Sequence, residues 1–226
     1  FINPGPYGGY LAMILPVCLH LYLRACEWKS TDVLHKIEKV TAGLAGILIL
    51  CVLPATMSRS AWIAAAISCA WVAYMHRDRR KWSVLRYKKR YLTWGVVGLF
   101  VLILGGAGIF FLKPDSAMGR LFMWKITCKA IVEHPWGCRE GFVYAYGEAQ
   151  EKYFGSGDYA DWEERVAGSP EYAFNEYLEL ALTAGVMLGV MFFSTIGAGL
   201  WLGTKWGRYE ICGALISLLV FSFSSY

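Results

Sequence analysis

The chain has 226 residues, 57% of them apolar and 17% charged, with a formal net charge of +5 and a mean hydropathy of +0.40. A soluble domain carries about a quarter charged residues, and here the shortfall falls in several runs that hold almost none. The pattern excludes an ordinary soluble domain and predicts an all-α, polytopic membrane protein. The positive balance is no sign of nucleic acid, because the basic residues sit beside apolar spans.

In chain order, six apolar segments read as transmembrane helices. The first, 8–23, contains Pro16 and is expected to kink there. The second, 40–56, holds Pro54 near its end, and the third covers 60–76. These three fall short of the roughly 20 residues a span needs and are expected to rely on flanking anchors or tilt. The fourth covers 92–112, the fifth 176–203 with an amphipathic start, and the sixth runs from 209 to the end. The chain opens in the turn "NPGPYGG" without an initiator Met or a signal-peptide pattern and closes inside an apolar run. It is therefore expected to be an internal piece of a longer membrane protein.

Basic residues set the orientation. The stretch 76–90 holds eight Lys/Arg against one Asp, which places the connection between the third and fourth spans in the cytoplasm. Arg24, Lys29, Lys36 and Lys39, and the "TKWGR" of 204–208, then fall on the same side. The opposite, periplasmic side receives the "MSRS" connection with Arg59 and a long loop, 113–175, inserted in a single membrane domain of residues 1–226. Across 113–172 that loop has seven Lys/Arg and ten Asp/Glu, and loops of such length tend to carry function.

Within the loop, 117–133 reads as an amphipathic helix with Leu121, Trp124, Cys128 and Ile131 on one stripe, ended by His134-Pro135 and Gly137. Arg120 stands near its start, where the helix dipole does not favour a cation. The tyrosines of 141–154, Tyr144, Tyr146 and Tyr153, can stack on sugar rings or serve as interfacial belt residues. The acidic, Gly- and Ser-containing stretch 155–170 is expected to be mobile. In 171–189 the chain re-enters the membrane as a helix, with Asn175, Glu176 and Glu179 expected to face a cavity rather than lipid. Cys128 and Cys138 can pair in an oxidising compartment or remain free thiols. Cys18, Cys51, Cys69 and Cys212 read as packing residues of the apolar runs. No zinc spacing, P-loop, GxSxG, HExxH or dinucleotide fingerprint appears.

The stretches "NPGPYGGYLA", "TMSRSAW", "GRLFMWKITCKAIVEHPWGCREG" and "AFNEYLELALTAGVMLG" occur in an order and spacing that resemble the O-antigen ligase family. That family includes the related O-antigen polymerases and protein O-oligosaccharyltransferases. The resemblance implies a GT-C-like, inverting, metal-independent glycosyltransferase of the bacterial inner membrane, without a cofactor and with its active side periplasmic. The implied donor is an undecaprenyl-pyrophosphate-linked glycan, and the implied acceptor a hydroxyl on a glycan or on lipid A-core. It also implies that Arg59 and Arg120 lie near the donor pyrophosphate. The family's base is a His just before an Asn, and this chain has Phe174 there; a Glu common a few residues later is Thr183. Either the acceptor needs little base assistance, or Glu176, Glu179 or His134 serves instead, or the acceptor chemistry differs from that of a typical ligase. His134 stands at a family-like position of its own.

The chemistry is consistent with such a donor. A glycosyl pyrophosphate already carries a good leaving group and lacks only charge compensation as its C1–O bond breaks. Guanidinium groups supply it, since they stay protonated and bind phosphate oxygens bidentately. A polymerase shares this donor and differs in acceptor. A lipid-linked sugar transporter or flippase would share the arginines and aromatics but more often shows inverted repeats, and a structural membrane protein would tolerate loss of both arginines.

Overall fold

The computed structural model describes residues 4–27, 33–79 and 114–224, and every regular element among them is helical. The apolar segment 92–112 and most of the basic stretch 76–90 lie outside the described residues. The chain divides into two compact units.

The first unit contains α1 (Pro4–Glu27), α2 (Val33–Val52), a 3-10 turn (Leu53–Thr56) and α3 (Arg59–Arg79), with residues Ile196–Phe221. Pro4 opens α1, where its missing N–H leaves nothing unsatisfied. Pro16 lies within the helix, which continues to Glu27, and is fully buried. α2 buries only Ala42 and Ile49 and exposes an apolar surface from Val33 to Val52, as a lipid-facing helix does. α1 is the central helix of this unit, packed against both α2 and α3, and α3 turns small residues inward. Ala61, Ala64, Ala65, Ser68, Val72 and His76 form its buried stripe, and such small residues let helices approach closely where no water drives them together. Among the described residues, Pro4–Cys26, Val33–Thr56 and Val186–Lys205 are long and apolar enough to cross a bilayer, and its charged ends keep α3 out of that set.

One end of this unit carries a polar chain. His20 of α1 and His76 of α3 are both buried, with His20 Nδ1 2.9 Å from His76 Nε2. His20 Nε2 lies 3.2 Å from the Glu210 carboxylate, which also accepts from Arg208 Nε at 2.6 Å. A carboxylate only accepts, so His20 donates to Glu210 through Nε2; a neutral His20 then accepts at Nδ1 from His76, and a protonated one donates there. Tyr209 packs edge-on against both imidazoles.

The second unit contains α4 (Pro114–Glu133), α5 (Phe142–Gly155), α6 (Asp161–Val166), α7 (Glu176–Ala184) and the start of α8 (Val186–Lys205). Residues 222–224, where α9 (Tyr209–Ser222) ends, also belong to it. Its core joins Phe122, Ile126 and Ala130 of α4 to Phe142, Ala145, Tyr146, Ala149 and Tyr153 of α5, with Ala173 and Leu182. Burying Phe122 and Ile126 this fully contributes about 1.5–3 kcal/mol each. The helix expected over 117–133 is present and starts three residues earlier, but its buried face differs from the expected stripe. Leu121 and Cys128 are exposed, and the row at four-residue spacing beside them faces α5. Apolar residues occupy every side of α4, so its own pattern did not select the face. Cys128 and Cys138 are free thiols, one exposed and one in the core.

The stretch 155–170 is built rather than loose. Glu163 of α6 is only 3% exposed. Its carboxylate accepts from Lys125 Nζ at 2.6 Å, from the Tyr153 hydroxyl at 2.7 Å and from the Ala160 N–H at 3.1 Å. These charge-assisted bonds, Lys125's foremost, hold the Glu163 carboxyl down at about 2 and push the Lys125 ammonium up.

The helix expected to run unbroken through 171–189 is divided at Gly185, which has φ +94°. There the bend after α4 crosses it backbone to backbone. The Cys138 N–H donates to the Leu182 carbonyl at 2.8 Å, and the Val186 N–H to the Pro135 carbonyl at 3.0 Å. A Cβ on Gly185 would sit 2.8 Å from the Trp136 carbonyl, and one on Gly137 2.8 Å from the Thr183 oxygen. Only glycine at both positions permits this approach.

Candidate functional site

In the second unit, Arg120 and Trp124 stand one turn apart on α4 and face the segment that leads into α7. The Trp124 Nε1–H donates to the Ala173 carbonyl at 3.1 Å, and the Ala173 N–H donates to Glu179 at 3.2 Å. The next residue, Phe174, has φ +51°, a left-handed conformation uncommon for a bulky side chain and persistent only where surroundings impose it. Asn175 then caps α7: its Oδ1 accepts from the Tyr177 and Leu178 N–H groups at 3.0 and 3.2 Å. The strained residue is thus held from both sides, and its ring centre lies 5.6 Å from the Arg120 guanidinium carbon. Arg120 Nη1 donates to the Ser224 hydroxyl at 2.5 Å. Trp124 packs edge-on against Phe223.

Glu179 is half-buried beneath this bend. Burial raises its carboxyl above the usual range, Glu176 nearby adds to the rise, and the Ala173 N–H opposes it. Glu176 is exposed in the first turn of α7. The Arg120 guanidinium, held on the Phe174 ring, can bind an anion, and the Glu179 carboxyl, held by the Ala173 N–H of the same bend, can take up a proton.

Of the residues expected from sequence, Arg120, Asn175 and Glu179 meet around Phe174. Asn175 is engaged as a helix cap. His134 stands at the other end of α4, fourteen residues and about 20 Å of helix rise from Arg120. Its Nε2 lies 3.9 Å from Glu148, whose carboxyl is lowered by its bond to Lys152. Tyr144 is 54% exposed on α5, with its hydroxyl raised chiefly by Glu140. Tyr146 is instead a core residue, 2% exposed and stacked on Phe142 with ring centres 5.4 Å apart; burial pushes its hydroxyl up to about 12. Sequence reasoning missed Trp124 as the brace of Ala173. Its i, i+4 spacing from Arg120 was the available signal.

Arg59 belongs to the first unit, as the exposed first residue of α3. The turn before it is tightly made. Met57 adopts φ +51°, the Thr56 hydroxyl donates to the Leu53 carbonyl at 2.7 Å, and Trp62 Nε1–H donates to the same carbonyl at 2.9 Å. Gly8 of α1 admits the turn, since a Cβ there would meet Thr56 Oγ1 at 2.9 Å. Among the described residues, no carboxylate pairs with Arg59.

Helices long and apolar enough to cross a bilayer define a multi-pass membrane protein, and a folded polar segment of the same chain fixes an arginine beside a strained bend. A family model described as O-antigen ligase matches residues 44–193, which include Arg59, Arg120, Phe174, Asn175 and Glu179. The chain belongs to the O-antigen ligase family. Membership gives it glycosyltransferase-like chemistry of the O-antigen ligase or polymerase type. No curated protein and no solved structure matches it at a significant level.

Proposed function

We propose that this chain is a GT-C-like, six-span enzyme of the bacterial inner membrane. It moves a glycan from an undecaprenyl-pyrophosphate carrier to a periplasmic hydroxyl on a glycan or on lipid A-core. The acceptor oxygen attacks the anomeric carbon from the face opposite the carrier, so configuration inverts. The new C–O bond forms as the C1–O(phosphate) bond breaks, and the electron pair leaves with the pyrophosphate. Arg59 and Arg120 neutralise that departing charge without a metal, each worth on the order of 10²–10³ in rate. The acceptor proton passes to a carboxylate; Glu179 suits this role better than Glu176 or His134, because its carboxyl lies under the Phe174 bend with a raised pKa. Tyr144 contributes an exposed ring for sugar stacking.

The observation that carries this reading is the Arg120–Phe174–Glu179 cluster, built by four elements of hydrogen bonding and ring contact on a family-matched stretch. The test replaces the gene with R59A, R120A or the double variant and examines surface lipopolysaccharide. Loss of transfer with normal membrane abundance is expected. Bare lipid A-core identifies a ligase, and chains stalled at a single repeat unit identify a polymerase. A double variant that decorates its acceptor at the normal level refutes the proposal, and would favour a transport or structural role.

A further inference from the structure

Trp136 lies outside the site just described and is 79% exposed. An indole joins an apolar body to a polar N–H and suits a boundary where one end is apolar and the other wet. The backbone places Trp136 at one. The carbonyl of its neighbour Pro135 accepts from the Val186 N–H at 3.0 Å, and the Trp136 carbonyl is in close contact with Gly185. Val186 is the first residue of α8, an apolar helix of 20 residues, whose rise of about 30 Å equals the thickness of a bilayer's hydrocarbon layer. A span of that length has no slack to slide, so Val186 stands at the hydrocarbon boundary and the locked Trp136 stands level with it. The start of α8 exposes Val186, Met187, Val190 and Met191, as a lipid-facing surface does. The polar neighbours of Trp136 are engaged elsewhere: Glu133 with Lys152 at 2.9 Å, and His134 with Glu148.

We propose that Trp136 is an interfacial anchor. Its indole lies at the headgroup–acyl boundary of the leaflet that α8 enters, with the ring among acyl carbons and the N–H toward headgroup oxygens. The partner of this surface is the phospholipid bilayer itself. The bend 134–137 thereby sets the height of the α4–α7 body above the hydrocarbon.

The full chain is reconstituted in phosphatidylcholine nanodiscs, with or without bromine on acyl carbons near the headgroup. The fluorescence of wild type minus W136F isolates this one indole. W136Y, which keeps an interfacial ring, checks that the difference does not come from misfolding. In nanodiscs the Trp136 contribution is expected at shorter wavelength than that of an indole in water, and brominated lipid is expected to remove most of it. A contribution untouched by brominated lipid overturns the proposal. Quenching by aqueous iodide would then place the ring in water, and protection from both quenchers would place it against protein.

Discussion

Replacing Glu163 by Gln should release α6 while leaving the rest of the second unit folded. The carboxylate holds three donors at 2.6–3.1 Å, and its carboxyl is held at about 2 in place of 4.5. At 1.36 kcal/mol per pH unit this corresponds to roughly 3 kcal/mol. Lys125 is 45% exposed and regains water when its partner is neutralised, so the expected loss is about 2 kcal/mol. Local opening of α6 should then rise about 30-fold. Hydrogen–deuterium exchange over residues 155–170, on the full chain in detergent and corrected for intrinsic rates, reads this directly. The pH dependence has a definite sign. A carboxyl whose pKa is depressed by folding stabilises above its unfolded value, and that stability is lost as pH falls from 4.5 toward 2. Wild-type protection of α6 should be flat above pH 5 and decay below it, while E163Q shows no such decay. Unchanged α6 protection in E163Q, or wild-type loss already at neutral pH, refutes the reasoning.

Other substitutions test the remaining joints. Asn175→Ala removes the acceptor shared by two N–H groups of α7 and should lower stability by about 1 kcal/mol, a drop of about 2–4 °C in thermal unfolding. Gly185→Ala places a Cβ 2.8 Å from the Trp136 backbone at φ +94° and should destabilise by about 2 kcal/mol or more. Gly189→Ala on α8, where a Cβ has no neighbour within 4 Å, should be neutral or stabilising by comparison. If Glu179 accepts the proton, glycan transfer should fall on the acid side with an apparent pKa above 4.5, and E179Q should lose that limb together with most of the rate. An acid limb unchanged in E179Q assigns the proton elsewhere.

The apolar helices were legible because a bilayer demands long runs without charge, and α1, α2 and α8 satisfy that demand locally. What could not be read depended on distant partners. "ALTAGVMLG" looks continuous, since nothing near Gly185 announces that the bend at Trp136–Gly137 will cross it. Glu163 sits in an acidic, Gly-rich setting that reads as solvated; its cation is on α4, 38 residues earlier. The face of α4 was undecidable from a helix apolar on all sides. Arg120, Asn175 and Glu179 were identifiable as polar groups at awkward places, near a helix start or at the entry to an apolar run. Their convergence was not, because it rests on Trp124 holding Ala173 and on Phe174 accepting a left-handed backbone. Tyr146 shows the opposite error: a tyrosine in a long polar loop is still core when it falls on the row that α5 turns inward.

The His20–His76–Glu210 chain bears on how the membrane bundle finds a single alignment. Apolar helices in lipid can slip along one another with little change in contact, as their surfaces are alike at every turn. A shift of one turn, about 5.4 Å, would carry His20 out of reach of both partners and strand buried donors in hydrocarbon. The clasp joins α1, α3 and the start of α9, so it works as a depth gauge: each of these helices seats only where the other two stand at the matching level.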